Sequence, residues 1–120
     1  MTTSNTNPSQ ANKQADIAPA HAFRLAELIE HSDGSVVSRT LAKSQAGSIT
    51  LFAFEAGEGL SEHSAPFDAF VQILDGEADL IIAGERVRAR EGEMVRMPAN
   101  VPHAVHAPGR FKMMLVMIRG

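Results

Sequence analysis

The sequence predicts an all-β fold, a single small barrel or two-sheet sandwich behind a disordered N-terminal tail. Three observations carry that expectation. From residue 34 onward, short apolar stretches are separated by Gly, Pro or acidic clusters at intervals of about ten residues, the spacing of strands and turns in sandwiches and barrels. No stretch sustains the apolar period of a long helix. At 120 residues and 12.9 kDa the chain is one domain's worth. Surface scaling gives a folded area of roughly 6,300 Å² against about 18,700 Å² unfolded, so about two-thirds of the surface can be buried without a cross-link.

Residues Met1 to Asp16 are mostly Ser, Thr, Asn and Gln. Such a stretch cannot bury enough apolar surface to offset its ordering entropy. The chain therefore divides into a disordered tail over 1–18 and a barrel domain over 19–120. Between Ala20 and Ile29, the positions of Phe23, Leu25, Leu28 and Ile29 are neither helical nor alternating, so a short strand or one helical turn would suit. His31-Ser32-Asp33-Gly34 is a turn signal. Strands are then expected over 36–42, 48–55, 69–74, 78–82, 85–90, 94–97, 103–107 and 111–118. The connectors between them, Gly57–Gly59, Asp75-Gly76, Ala83-Gly84, Glu91-Gly92, Pro98–Pro102 and Pro108-Gly109, each hold a residue suited to a turn.

Alternation assigns faces. Arg86, Arg88 and Arg90 share one side of their strand and Val87 and Ala89 the other, which reads as one solvated face rather than a basic ligand patch. Asp75, Glu77 and Asp79 likewise read as a solvated edge beside a turn. In Met113 to Ile118 both faces are apolar, and a barrel interior covers only the inner one. The outer face calls for a second copy in a homodimer, or for the segment Phe23 to Ile29 of the same chain.

Composition removes several function classes. Eleven basic against fourteen acidic residues give a net charge of −3, with pI near 5.9. This chain lacks the basic surface that counter-ion release requires, so nucleic acid is not an expected partner. With no cysteine there is no disulfide, thiolate nucleophile or Cys-type metal site. With no Trp or Tyr, a sugar or base would have to stack on six Phe. No apolar run approaches the ~18 residues of a membrane span, and the first residues lack the basic and apolar regions of a signal peptide. The expectation is a cytoplasmic protein without membrane contact. Nucleophile elbows, phosphate-cradling Gly loops and Ser/His/Asp arrangements are absent.

Five histidines remain as candidates. His21 lies near the tail and His31 in a polar turn, so both read as surface residues. His63 and His103 each sit beside a Gly/Pro-punctuated segment entering a strand, where side chains converge inside a barrel. Here the sequence resembles the cupins, small double-stranded β-helix barrels of jelly-roll type, over about Val36 to Ile118. The family's first motif runs Gly, five residues, His, any, His, three or four residues, Glu, six residues, Gly; Gly57, His63 and Gly76 match it. The second runs Gly, five residues, Pro, any, Gly, two residues, His, three residues, Asn; Gly92, Pro98 and His103 match it.

The departures fall where chemistry is expected. The resemblance implies a metal held by both His and the Glu of the first motif and the His of the second. Here Ala65 and Ala69 occupy two of those four positions, and Asn100 and Ala107 replace the Gly and Asn of the second motif. With Ala69 inward, Val71 and Ile73 also point inward while Phe70 and Gln72 do not. Asp68 has the wrong parity for a regular strand, yet it follows Pro66-Phe67 and is the best substitute carboxylate. His106 has opposite parity to His103 and points outward unless a bulge intervenes.

The expected site is therefore a pocket lined by His63, His103, Phe52, Phe54, Val71 and Met97 that binds a small molecule. Its cofactor is none, or a weakly held divalent ion of the Fe, Mn, Ni or Zn class. The competing expectation is a metal-dependent enzyme of dioxygenase, isomerase or decarboxylase type, with His63, His103 and Asp68 as a two-His, one-carboxylate set. Without metal, an imidazole can still serve as general acid or base. The scattered Met residues read as core packing.

Overall fold

The computed structural model describes residues 17–119; the tail expected over 1–18 lies almost entirely outside them. The described residues form nine strands: β1 (Val36–Ser44), β2 (Gly47–Phe54), β3 (Gly59–His63), β4 (Asp68–Asp75), β5 (Glu77–Ile82), β6 (Glu85–Arg90), β7 (Met94–Met97), β8 (His103–His106) and β9 (Phe111–Ile118). A five-stranded sheet in the order β1-β2-β9-β4-β7 packs against a four-stranded sheet in the order β3-β8-β5-β6. Pairing within both sheets is antiparallel. The eight strands expected from sequence are present, and their ends move by at most two residues.

The ninth, β3, occupies a stretch whose start was read as a connector. Its sequence, Gly-Leu-Ser-Glu-His, carries one large apolar residue, and apart from half-buried Leu60 the strand is exposed. As an edge strand pairing only with β8, it has no two-sided burial to write an apolar alternation into its sequence.

Alternation holds in β4, where Ala69, Val71 and Ile73 are buried and their neighbours less so. These residues join Phe54, Leu80, Phe111 and Met113 in a core between the two sheets. A second apolar layer lies on the outer face of the five-stranded sheet, where Leu41, Leu51 and Ala53 meet Ile29, with Leu25, Leu28 and Met114 packed alongside. The segment left open between strand and helical turn contains one 3₁₀ turn, Leu25–Glu27. Two cations of the sheet hold it down: Lys112 Nζ donates to the Ala26 carbonyl at 2.6 Å, and Arg39 Nη1 to that of Leu28 at 2.8 Å. Part of the second apolar face of β9 is thus covered from within the chain. Val116 is only half-buried, however, and Ile118 is 50% exposed.

The charge rows of β5 and β6, read separately as solvated, meet each other. Asp79 lies directly opposite Arg88, and Glu77 opposite Arg90. Arg88 donates through Nε and Nη2 to the two oxygens of Asp79 and through Nη1 to Glu77. Asp79 is consequently 5% exposed rather than solvated, because a planar guanidinium fork covers it. Val87, expected inward, is 36% exposed on the edge strand β6.

Two tight positions set the loops. Gly76 has φ +78°, and a Cβ there would lie 2.4 Å from the Arg110 carbonyl oxygen. Asn100, standing where the motif has Gly, has φ +63°. Asn is among the few residues that tolerate this left-handed region, so the replacement keeps the turn.

Candidate functional site

Between the sheets lies a cavity of about 440 Å³, within the usual span of ~300–1,000 Å³ for small-ligand sites. One wall comes from the five-stranded sheet through Phe52, Ala69, Met97, Met113, Leu115 and Met117. The other comes from β3 and β8 through Leu60, His63, His103 and Val105, while Ala65 and Phe67 contribute from the β3–β4 loop. Ser61 and Glu62 complete the lining. Apart from these two and the histidines, the wall is apolar.

His63 and His103 come together because β3 and β8 place them directly opposite each other in the ladder. Their ring centroids are 4.5 Å apart, with the planes at 66°, edge to face. His103 is 7% exposed, whereas His63 sits on the exposed edge strand. Each ring uses Nδ1 on a carbonyl two residues back: His63 to Ser61 at 3.0 Å and His103 to Val101 at 3.2 Å. A carbonyl oxygen only accepts, so each Nδ1 carries the proton, and in the neutral ring Nε2 keeps its lone pair. Burial pushes the His103 pKa below its ordinary value, with nearby His63 adding to the effect and the Val101 carbonyl opposing it.

Asp68 does not join the pair. Its Oδ1 accepts the Ala99 N–H at 2.9 Å and its Oδ2 accepts from Arg96 Nη2 at 3.2 Å. Those two donors hold its carboxyl below the usual carboxylate range, the Ala99 bond first. Strand parity decides this: Asp68 shares the outward set with Phe70 and Gln72, and its work is to tie β4 to the Pro98–Asn100 turn ahead of His103. Ala65 and Ala69 place methyl groups on the cavity wall where the motif expects ligands. No group of three or more His, Asp or Glu side chains among the described residues is arranged to hold a metal ion. The residues present therefore do not fit a three-ligand metal site.

Other expected positions sort as follows. Phe52 and Met97 line the cavity, but Phe54 and Val71 do not. Both point inward as parity requires, yet they lie in the fully buried core, Phe54 stacked on Phe111 with ring centroids 4.5 Å apart. Parity gives the face of a strand and not the depth along the barrel, and depth is what separates Phe54 and Val71 from Phe52 and Met97. His106 is exposed, as its parity implies, and His21 is also exposed. His31, expected at the surface, is instead half-buried, its Nδ1 3.6 Å from Glu55 Oε2, which Arg110 Nε also approaches at 2.8 Å.

Sequence reasoning missed Leu60, Phe67, Val105 and the β9 residues Met113, Leu115 and Met117. Both faces of β9 are apolar, so its parity was unreadable by itself. Its register with β4, pairing Ala69 with Met117, Val71 with Leu115 and Ile73 with Met113, carries the missing signal. Phe67 is held by Arg119, whose guanidinium carbon lies 4.9 Å from the ring centroid, a cation–π contact.

Residues 50–119 match the family model described as the cupin domain. Among solved structures, the chain is 36% identical to a conserved protein of unknown function from Streptococcus pyogenes, with TM-score 0.83 over 87% of this chain and 91% of that one. A cupin superfamily protein from Desulfitobacterium hafniense is 32% identical, with TM-score 0.82 over 87% and 95% of the two chains. A cupin 2 conserved barrel domain protein from Leptotrichia buccalis is 39% identical, with TM-score 0.79 over 81% of this chain and 47% of that one. No curated protein sequence matches.

Proposed function

The chain belongs to the cupin family, and from that premise we propose that it binds a small molecule in a barrel whose metal site is reduced to two histidines. The observation that carries this reading is the pairing of His63 with His103 beside a cavity of about 440 Å³ that is otherwise mostly apolar. Two neutral imidazoles without a third ligand hold a divalent ion weakly, while the apolar wall favours an organic occupant. The metal-dependent enzyme reading loses support because Asp68 is committed to Ala99 and Arg96.

The proposal includes a cytoplasmic setting and a homodimer through the outer face of the five-stranded sheet. No helix among the described residues is long and apolar enough to cross a membrane. On that outer face, Met94 is 54% and Ile118 50% exposed, near half-buried Phe70 and Val116, and such a patch favours association.

Metal titration by calorimetry tests the site. The expected result is no stoichiometric binding tighter than about micromolar; a tighter site abolished by His63→Ala would restore the metalloenzyme reading. Methyl NMR with small apolar fragments tests the cavity, with shifts expected at Ala69, Met97, Leu115 and Met117 and lost in Ala69→Phe. Light scattering tests the dimer, which should weigh twice 12.9 kDa.

A further inference from the structure

The two cavity histidines present the same tautomer, and that determines what they can recognise. Each Nδ1–H is spent on a backbone carbonyl, His63 on Ser61 and His103 on Val101, so the nitrogen each neutral ring has left is an acceptor. Among the described residues, the lining contains no Lys or Arg. Its one formally charged member among them is Glu62, an anion, and Arg119 is placed over the Phe67 ring rather than in the lining. Ser61 adds a single hydroxyl. Everything else in the wall is methyl, methylene, thioether or phenyl.

A buried ligand head must find partners for its polar atoms or lose affinity. A carboxylate brings only acceptors to a pair of acceptors and would lie near Glu62, so among the described lining side chains the Ser61 hydroxyl alone is a donor to replace its water. An ammonium brings donors for both Nε2 lone pairs, but taking its full charge out of water costs far more than burying a hydroxyl, and the Glu62 carboxylate that would offset it is exposed. A hydroxyl brings one donor and no net charge, and an Nε2 lone pair accepts it.

We propose, deepening the small-molecule reading above, that the cavity selects neutral molecules with an apolar body and a hydroxyl donor, phenols being the simplest case, and rejects the matching carboxylates. The histidine pair acts as an acceptor clamp, and the Phe52, Met113, Leu115 and Met117 side of the wall takes up the apolar body.

A matched series tests this: 4-propylphenol, propylbenzene and 4-propylbenzoate, titrated at pH 7.5 with chelator present and followed by methyl NMR. At that pH a phenol, with pKa near ~10, is neutral. The phenol is expected to bind tighter than the hydrocarbon by about three- to tenfold, the worth of one neutral hydrogen bond. The carboxylate is expected to be weaker than the phenol by about a hundredfold or more. The double variant His63→Leu, His103→Leu should bring the phenol down to the hydrocarbon's affinity, with the hydrocarbon's own binding retained as the control for an intact cavity. Should that variant fail to fold, the three ligands on the unaltered protein still decide. Carboxylate or hydrocarbon binding at least as tight as the phenol's overturns the selectivity and leaves the small-molecule cavity standing. No binding by any of the three overturns the cavity reading along with it.

Discussion

Phe54 of β2 and Phe111 of β9 lie directly opposite each other in the ladder, their rings nearly parallel at 7° with centroids 4.5 Å apart. Both are fully buried, and Phe52 continues the stack at 5.8 Å from Phe54 on the way to the cavity. The stack accounts for Phe54 being core rather than ligand-binding surface. Phe54→Ala and Phe111→Ala should each cost about 3–5 kcal/mol, the range for deleting a buried ring. Urea unfolding measures this; a loss under 1 kcal/mol at either site would mean that the stack contributes little to the core.

Asn100 holds φ +63° while its N–H donates to the Ala65 carbonyl at 2.7 Å, so the turn before His103 is tied to the loop after His63. Asn100→Gly should change stability by less than about 1 kcal/mol, since Gly enters this region freely. Asn100→Val should cost about 1–2 kcal/mol because a β-branched side chain opposes the left-handed conformation and lacks the short polar group by which Asn tolerates it. Thermal unfolding of the pair separates them, and equal stability of the two variants would refute the backbone argument.

Asp79 and Asp68 both have carboxyls held below the ordinary value, Asp79 chiefly by the Arg88 hydrogen bonds and Asp68 chiefly by the Ala99 N–H. The stability they contribute is fully present above the unfolded Asp pKa of ~3.9 and is lost as pH falls through the lower folded values. Urea midpoints should therefore drop steeply below about pH 4, and Asp79→Asn should flatten that drop. A variant as acid-sensitive as the parent would assign the acid limb elsewhere.

His103 also takes up its proton as pH falls, but goes from neutral to cationic where the two Asp go from anionic to neutral. Because burial lowers its folded pKa, the unfolded chain binds the proton first as pH falls below ~6.5. Its contribution to stability is full above that value and declines below it, down to the folded pKa. Nitrogen-15 NMR should show, in the neutral rings of both His63 and His103, Nδ1 protonated and Nε2 unprotonated. The reverse tautomer in either ring would contradict the carbonyl contacts.

Much of the barrel was legible in the sequence because the physics behind it is local. Turn residues such as Asp75-Gly76 and Glu91-Gly92 break the chain by backbone conformation alone, and the alternation in Ala69 to Ile73 records a sheet with one face on the core. Which two histidines meet followed from the resemblance of the Gly57, His63, Gly92, Pro98 and His103 spacing to the two cupin motifs.

Three things were left to the tertiary structure, each for want of a local signal. The depth of Phe54 and Val71 depends on how far along the barrel each strand pairs with its neighbour, a non-local quantity. The inner face of β9 is set by its register with β4, because Met113 to Ile118 is apolar on both sides and has no alternation of its own. The fate of Asp68 turned on Arg96 and the Ala99 N–H, 28 and 31 residues away, which take both carboxylate oxygens and leave His63 and His103 without a third partner.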